Sequence, residues 1–177
     1  LRGAGYQSFR VPTLNELYRP FQVGTVLTAA NENLSPELLV GGELGADWQL
    51  ADALIWRTTG YWNRLERPIV NATLEMPDAT GAGRRRVNLD AARVRGVETA
   101  LEWRLARRFS SVLAYTLVDA RVTDAGPFRA LAGKRLAQYP VHRAALSFRF
   151  EDARLLGALV QLRFVGKQYE DDLNTLP

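Results

Sequence analysis

"LLVGGELGADWQL", residues 38–50, alternates between apolar side chains and polar or very small ones. The apolar set comprises Leu38, Val40, Gly42, Leu44, Ala46, Trp48 and Leu50, and between them lie Leu39, Gly41, Glu43, Gly45, Asp47 and Gln49. A repeat of two residues places alternate side chains on opposite faces of an extended chain. The stretch therefore predicts a long β-strand with one apolar face and one polar face.

The same alternation recurs along the rest of the chain. It is regular in residues 96–105, 143–150 and 156–164, and less regular in residues 5–9, 53–67 and 110–118. Each segment is bounded by residues typical of turns, and consecutive segments suit hairpin pairing. We therefore predict about seven strands in antiparallel order and no substantial helix.

One segment departs from this pattern. "SFRVPTLNELYRPF", residues 8–21, has apolar residues at helical spacing, and Asn15 is placed where it could cap a helix. Pro12 and Pro20 limit such a helix to one or two turns. We expect this segment to begin a long connection between strands, in which its aromatic residues pack or bind.

Short and long connections alternate strictly. Short ones are predicted near residues 51–52, 106–108 and 151–153, and long ones at 10–36, 68–86, 120–140 and from 166 onward. In an antiparallel sheet this order places all the long connections at one end. Outer-membrane barrels have this asymmetry, with short periplasmic turns and long extracellular loops.

The two faces of the strands also suit a membrane barrel. We predict that Trp48, Leu101, Trp103, Leu146, Phe148 and Val160 point out of the barrel, and that Glu43, Glu98, Glu102 and Arg149 point inward. Charges facing a dry soluble core would be costly, whereas a wet lumen tolerates them. The predicted fold class is all-β, an antiparallel transmembrane β-barrel segment of about seven strands from a larger barrel.

Composition narrows the range of functions. The 177 residues include no Cys, which excludes a disulfide framework, a thiolate nucleophile and a Cys-based zinc site. The net charge of +4 comes from Arg spread along the chain, so the single basic face expected of a nucleic-acid-binding protein is not indicated. His142 is the only histidine and no Gly-x-Ser-x-Gly motif occurs, so we expect no catalytic residue, no metal site, no cofactor and no enzymatic activity.

Several motifs, in order along the chain, resemble those of TonB-dependent outer-membrane receptors. "FRVPTLNELY" followed by "NENLSPELLVGGELGADW" is similar to the family's Phe-Arg-Ala-Pro and Glu-Leu-Gly signature. "GYWNRLERPI", "RRRVNLDAARVRGVETALEW", "AYTLVDARV", "LAGKRLAQYPVHRAALSF" and "VGKQYEDD" resemble later strands of the same barrel. Together these motifs cover nearly the whole chain.

The resemblance implies an architecture, a location and partners. It implies a bacterial outer-membrane barrel of about 22 strands, of which residues 1–177 would be a partial barrel domain without the N-terminal plug, the TonB box and the final strands. It implies TonB-energised uptake of a scarce ligand such as a ferric siderophore or cobalamin, with haem, sugars and other metal chelates also open. The implied partners are TonB through the plug region, outer-membrane lipid and lipopolysaccharide, and a small iron-chelate or vitamin-like ligand.

Basic and aromatic residues of the long loops are the candidate ligand contacts. They are Arg10, Tyr18, Phe21, Arg84, Arg85, Arg86 and Tyr139. The run Arg84–Arg86 could meet an anionic ligand, and it could equally be a solvated loop or meet lipopolysaccharide phosphates. For the aromatic residues of 8–21, packing is favoured over ligand contact.

Two other functional classes stay open at this point. A passive porin or adhesin barrel would share the strand pattern without coupling to TonB. A soluble β-sandwich binding module would also be built from alternating strands, although its charges would then face a dry core.

Overall fold

The computed structural model describes residues 1–152 and 154–177, and these residues form eleven strands, one short α-helix and a 3-10 turn at Arg129–Leu131. The elements, in chain order, are β1 (Arg2–Arg10), α1 (Leu14–Tyr18), β2 (Phe21–Val23), β3 (Val26–Ala29), β4 (Glu37–Ala51), β5 (Leu54–Glu66), β6 (Ile69–Thr73), β7 (Arg84–Asn88), β8 (Ala91–Ala106), β9 (Phe109–Asp124), β10 (His142–Glu151) and β11 (Gly157–Val165). The predominance of β-structure confirms the predicted fold class.

Seven of the strands form one open sheet. Their order is β1-β4-β5-β8-β9-β10-β11, and every neighbouring pair is antiparallel. The predicted number of strands and their hairpin order are confirmed. The sheet is not closed, so β1 and β11 are its two edges.

The strand register defines the two faces of this sheet. One row of directly opposed residues crosses six strands and runs Trp48, Trp56, Leu101, Leu113, Leu146, Leu162. We call the face that carries this row the outward face and the opposite face the inward face. The ten residues that the sequence analysis assigned to a face all lie on the predicted face. Side chains alternate between the two faces along each strand, so one known position fixes the others.

The outward face is apolar and uncovered. Leu44 is 69% exposed and Val160 is 59% exposed. A soluble β-sandwich buries its apolar faces between two packed sheets. The large exposed area therefore contradicts the β-sandwich alternative and fits a surface that faces lipid.

Aromatic side chains border the outward face beside the short turns. Trp48 and Trp56 pack with ring centroids 4.8 Å apart, and Phe109 and Phe150 pack at 4.9 Å. Trp103 lies on the same face and is 48% exposed. Such a band matches the aromatic girdle of outer-membrane barrels.

The connections lie at the two ends as predicted. The β4–β5 and β8–β9 turns lie at one end of the main sheet, which we call the short-turn end. The connections 11–36, 67–90 and 125–141 lie at the opposite end, which we call the long-loop end. The predicted turn at 151–153 includes Ala153, which lies outside the described residues. Four strands are longer than the 9–11 residues of a simple membrane crossing, since β4 has 15 residues, β5 has 13, and β8 and β9 have 16 each. These hairpins are therefore longer than one crossing of a bilayer requires.

Two of the predicted loops contain a second sheet. Its order is β2-β3-β7-β6, and β3 pairs in parallel with β7. The long connections predicted at 10–36 and 68–86 therefore contain strands that the sequence analysis did not predict. The second sheet depends on pairing between distant loops, which the spacing of either loop alone does not reveal.

The helix cap also differs from the prediction. Thr13, rather than Asn15, is the N-cap of α1, and it forms a capping box with Glu16. The helix has five residues and lies within the first long connection, as expected. No helix among the described residues is long and apolar enough to cross a membrane.

One cluster of buried hydrophobic residues lies at the long-loop end, where the connections pack against Val122 near the end of β9. It consists of Ala72, Val87, Leu89, Val122, Ala125 and Leu131, with Phe128 and Leu136 packed against it. Leu89 is only 1% exposed. Burying these side chains against one another holds the long connections together. We call the structured connections 11–36, 67–90 and 125–141 the platform.

Candidate functional site

Arg10 anchors the first long connection to the sheet. Its Nε donates to Glu37 at 2.5 Å and its Nη1 to Glu16 at 2.9 Å. Glu16 also accepts from the Thr13 backbone N–H at 2.7 Å, so one carboxylate serves the helix cap and the ion pair. Burial alone would raise the pKa of Glu16, but the bonds from Arg10 and Thr13 outweigh it and lower that pKa.

Arg86, on β7 of the second sheet, also binds the first long connection. The residue is 9% exposed, and its guanidinium donates to the backbone carbonyls of Asn15 and, at 2.8 Å, of Arg19. Its guanidinium also lies 4.8 Å from the centroid of the Phe21 ring, a cation–π contact. Burial lowers the pKa of Arg86, and the group nonetheless stays charged at neutral pH.

The other two arginines of the run have different surroundings. Arg84 is half-buried opposite Thr28 and Thr73, whereas Arg85 is exposed. Adjacent residues of a strand point to opposite faces, so Arg85 points away from the face that Arg86 uses. Of the three, Arg85 is the most accessible to a ligand.

The two candidate tyrosines are both exposed. Tyr18 ends α1 and is 65% exposed. Tyr139 is 50% exposed and lies in the β9–β10 connection, next to Gln138, whose backbone N–H donates to the Tyr169 carbonyl at 2.7 Å. Each ring offers an apolar body and a hydroxyl to a molecule at the long-loop end.

The fold brings most of the predicted candidates together. Arg10, Tyr18, Phe21 and Arg86 are joined through α1, and Arg84 and Arg85 continue along the same small sheet. Tyr139 belongs to a separate connection. Arg10, Phe21 and Arg86 make contacts that stabilise the platform, and Tyr18, Arg85 and Tyr139 are free to meet a ligand. Ligand contact by any of the seven stays a prediction.

The inward face forms a hydrophilic wall. Arg2 pairs with Asp47 and donates to the Thr59 hydroxyl at 2.7 Å, and Arg57 pairs with Glu102. A shallow pocket of about 250 Å³ lies here, lined by Arg2, Arg57, Thr59, Glu98 and Thr116 among others. Interior walls of this kind suit the passage of polar solutes through water.

Sequence reasoning missed the carboxylates that organise the platform. The Thr13–Glu16 spacing is a recognisable capping-box signal and could have been found. Asp172 accepts hydrogen bonds from the Thr73 N–H and hydroxyl, both at 2.7 Å, and no local sequence pattern predicts this pairing. Within residues 1–152 and 154–177, no group of three His, Cys, Asp or Glu side chains is arranged to hold a metal ion.

Comparison with solved structures shows a shared fold. The chain superimposes on the copper transporter OprC with a TM-score of 0.67 at 20% identity, covering 90% of this chain and 23% of OprC. It superimposes on a variant of the ferric enterobactin receptor PfeA from Pseudomonas aeruginosa with a TM-score of 0.66 at 19% identity, covering 94% and 25%. For the siderophore receptor PirA from Pseudomonas aeruginosa, the TM-score is 0.65 at 19% identity, covering 94% and 31%.

The chain thus spans about a quarter of the length of the structures it matches. A comparison with curated protein sequences gave no match. Over residues 1–177 the sequence matches the family described as "TonB dependent receptor-like, beta-barrel". This chain belongs to the family of TonB-dependent receptor β-barrels.

Proposed function

We propose that this chain forms part of an outer-membrane receptor that takes up a small chelate or vitamin-like ligand with energy supplied through TonB. The observation that carries the proposal is the two-faced sheet, apolar outward and charged inward, with every long connection at one end. Together with the family match, this arrangement supports a barrel wall whose structured loops meet the ligand outside the cell.

We infer that the ligand is anionic and partly aromatic or apolar. Arg85 and Tyr18 are exposed on the platform and supply a cation and a ring. Ferric siderophore complexes have this mixed character; PfeA is a ferric enterobactin receptor and PirA a siderophore receptor, while OprC is a copper transporter. A ferric siderophore is therefore the first candidate, and a copper complex and cobalamin are the next.

The remaining parts of such a receptor would come from residues outside this chain. The chain covers about a quarter of the matched structures, and we propose that the plug, the TonB box and the other strands complete the barrel. A passive porin or adhesin would share this wall but would not depend on TonB.

Uptake by cells tests the proposal. Cells that lack the complete receptor gene would be compared with complemented cells for uptake of radiolabelled ferric enterobactin, cobalamin and copper(II). We expect uptake of one of these probes to require both the receptor and TonB. Uptake that requires the receptor but is unchanged in a TonB deletion would identify a passive barrel and contradict the proposal.

A pair of variants tests the location of the ligand site. Arg85→Gln removes an exposed charge from the platform and should weaken binding of the transported probe by about tenfold, the effect of one charge-assisted contact. Arg107→Gln removes an exposed charge beside the short β8–β9 turn and should leave binding unchanged. Equal effects of the two substitutions would show that the long-loop end is not the ligand site.

A further inference from the structure

The platform packs on the inward face of the main sheet. Near the long-loop ends of β8 and β9, Ala92, Ala120 and Val122 are all buried, with at most 5% of each residue exposed. Ala92 is directly opposite Val122, and these residues alternate along their strands with Arg93 and Arg121 of the outward face. Val122 also belongs to the buried cluster formed with the platform. The platform therefore covers the side of the sheet that is assigned to the lumen.

Three consecutive residues after β11 bind two different parts of the platform. Asp172 accepts hydrogen bonds from the N–H and the hydroxyl of Thr73, the last residue of β6, both at 2.7 Å. The Oδ1 of Asn174 accepts from the Arg135 N–H at 2.7 Å, and its Nδ2 donates to the Arg135 carbonyl at 3.0 Å. Between them, Leu173 packs against the buried cluster. The segment thus joins two connections across the apolar contact between them.

The same segment holds its own shape. The Asp171 carboxylate accepts from the backbone N–H groups of Thr175 and Leu176 and so closes a turn. Asn174 adopts a positive φ of 61°, which its short polar side chain tolerates. We call residues 169–176 the clasp. Because the turn is held internally, its three contact residues are presented to the platform as one unit.

The two connections that the clasp joins have few other links. In the part of the chain that the structure describes, no strand pairing joins connection 67–90 to connection 125–141. They meet through the buried cluster and through the clasp. Asp172 and Asn174 are half-buried, so water can replace their hydrogen bonds when the clasp lifts. The clasp is therefore a fastening that can open without breaking a strand ladder.

We propose that the clasp keeps the platform closed over the inward face, and that it must release before a solute can pass beneath the platform into the lumen. Release removes the hydrogen bonds to both connections together, which lets them separate along the buried cluster and exposes Ala120 and Val122. The inference rests on the proposed function only in taking the inward face as the lining of a passage. Closure itself is a property of the described contacts.

Cysteine labelling tests whether the clasp closes the platform. Ala120→Cys would be placed in an otherwise cysteine-free complete receptor, and whole cells would be treated with an impermeant maleimide. With Asp172→Ala/Asn174→Ala added, labelling should be at least about tenfold faster, because release of the clasp opens the platform locally. The matched control is Glu170→Gln, an exposed residue of the clasp whose side chain bonds only Gln138 and Gln168, and it should leave the rate unchanged.

A separate label measures access of the reagent. Thr80→Cys, at the exposed tip of the β6–β7 hairpin, should react at the same rate with and without the clasp substitutions. Equal labelling of Ala120→Cys in the double variant and in Glu170→Gln would overturn the proposal.

Hydrogen exchange in the purified complete receptor tests whether the clasp releases as a unit, without an introduced cysteine. Asp172→Ala should speed amide exchange at Arg135 as well as at Thr73, and Asn174→Ala should speed exchange at Thr73 as well as at Arg135. We expect each change to be at least about fivefold. An effect confined to each residue's own partner would overturn the proposal, and so would faster exchange throughout the main sheet. Neither measurement uses a ligand, so failure here is distinguishable from failure of the proposed function.

Discussion

Glu98 and Leu101 lie three residues apart on β8 and point to opposite faces of the sheet. Leu101 is opposed by Trp56 and Leu113, whereas Glu98 is opposed by Thr59 and Thr116. A carboxylate and an aliphatic side chain thus face different environments within one strand. This separation is the physical basis for assigning lipid to one face and a wet lumen to the other.

Gly96 is predicted to tolerate no side chain. A Cβ there would lie 2.3 Å from the Leu117 carbonyl oxygen and 2.5 Å from the Tyr61 hydroxyl, both far inside van der Waals contact. Gly96→Ala should lower the stability of the complete receptor by about 1–3 kcal/mol, the usual cost of overpacking, as measured by thermal melting. Gly60→Ala is the matched control on the neighbouring strand, since its Cβ would meet its nearest atom only at 4.0 Å. Equal destabilisation by both would contradict the packing described here.

Arg86 is predicted to hold the first long connection closed. Arg86→Lys loses the planar group that reaches two carbonyls and lies over Phe21. The local free energy of opening should fall by about 1–3 kcal/mol, so amide exchange at Leu17 and Arg19 should become at least about fivefold faster. Arg85→Lys changes an exposed residue of the same strand and should leave those amides unaffected. Unchanged exchange in Arg86→Lys would show that the connection is held by other contacts.

Asp171 should make stability depend on pH in the acid range. The residue is 4% exposed, and its carboxylate accepts from the backbone N–H groups of Leu176, at 2.7 Å, and Thr175, at 2.9 Å. Burial alone would raise the pKa of Asp171, but these hydrogen bonds outweigh burial and lower it. A lowered pKa means that the stabilisation is complete above the ordinary Asp pKa of about 3.9 and is lost as the pH falls through the pKa of the folded protein.

The measurement is the difference in melting temperature between wild type and Asp171→Asn as a function of pH. We expect a difference equivalent to about 1–3 kcal/mol at pH 6, and we expect it to shrink once the pH falls below about 3.9. A difference that is constant down to pH 2 would mean that ionisation of Asp171 has no part in stabilising the segment.

The 177-residue chain by itself should not remain a monomer in water. The edge strands β1 and β11 offer unpaired backbone groups, and the outward face exposes a broad apolar surface. The isolated chain should aggregate, require detergent or self-associate in sedimentation experiments. A well-dispersed folded monomer in plain buffer would contradict the assignment of the outward face to lipid.

Alternation alone was enough to predict the main sheet. In β4 and β8 each side chain is assigned to a face by its position in the strand, so Trp48 and Glu98 could be placed without knowledge of tertiary contacts. The alternation of short and long connections then fixed which connections share an end. These features are local or follow from hairpin order, and they are therefore readable in the sequence.

The platform could not be read in the same way. The parallel pairing of β3 with β7 joins Thr28 to Arg84, 56 residues further along the chain, and the hydrogen bonds that Thr73 donates to Asp172 span 99 residues. Arg86 was predicted to be a ligand contact, and its position between two carbonyls and Phe21 depends on the same distant pairing. The four arginines near Asp119 come from three different segments, so no local sequence pattern predicts that group either.

Accessibility of consecutive positions on β8 tests the account's central claim most directly. Nitroxide labels would be attached to single cysteines at each position from 97 to 103 in the complete receptor, reconstituted in lipid bilayers. Collisions with oxygen, which partitions into lipid, and with a water-soluble nickel chelate would then be measured. We predict that oxygen collisions peak at positions 97, 99, 101 and 103 and that nickel collisions peak at 98, 100 and 102. Equal accessibility along the strand, or the opposite phase, would contradict the assignment of the outward face to lipid and of the inward face to a wet lumen.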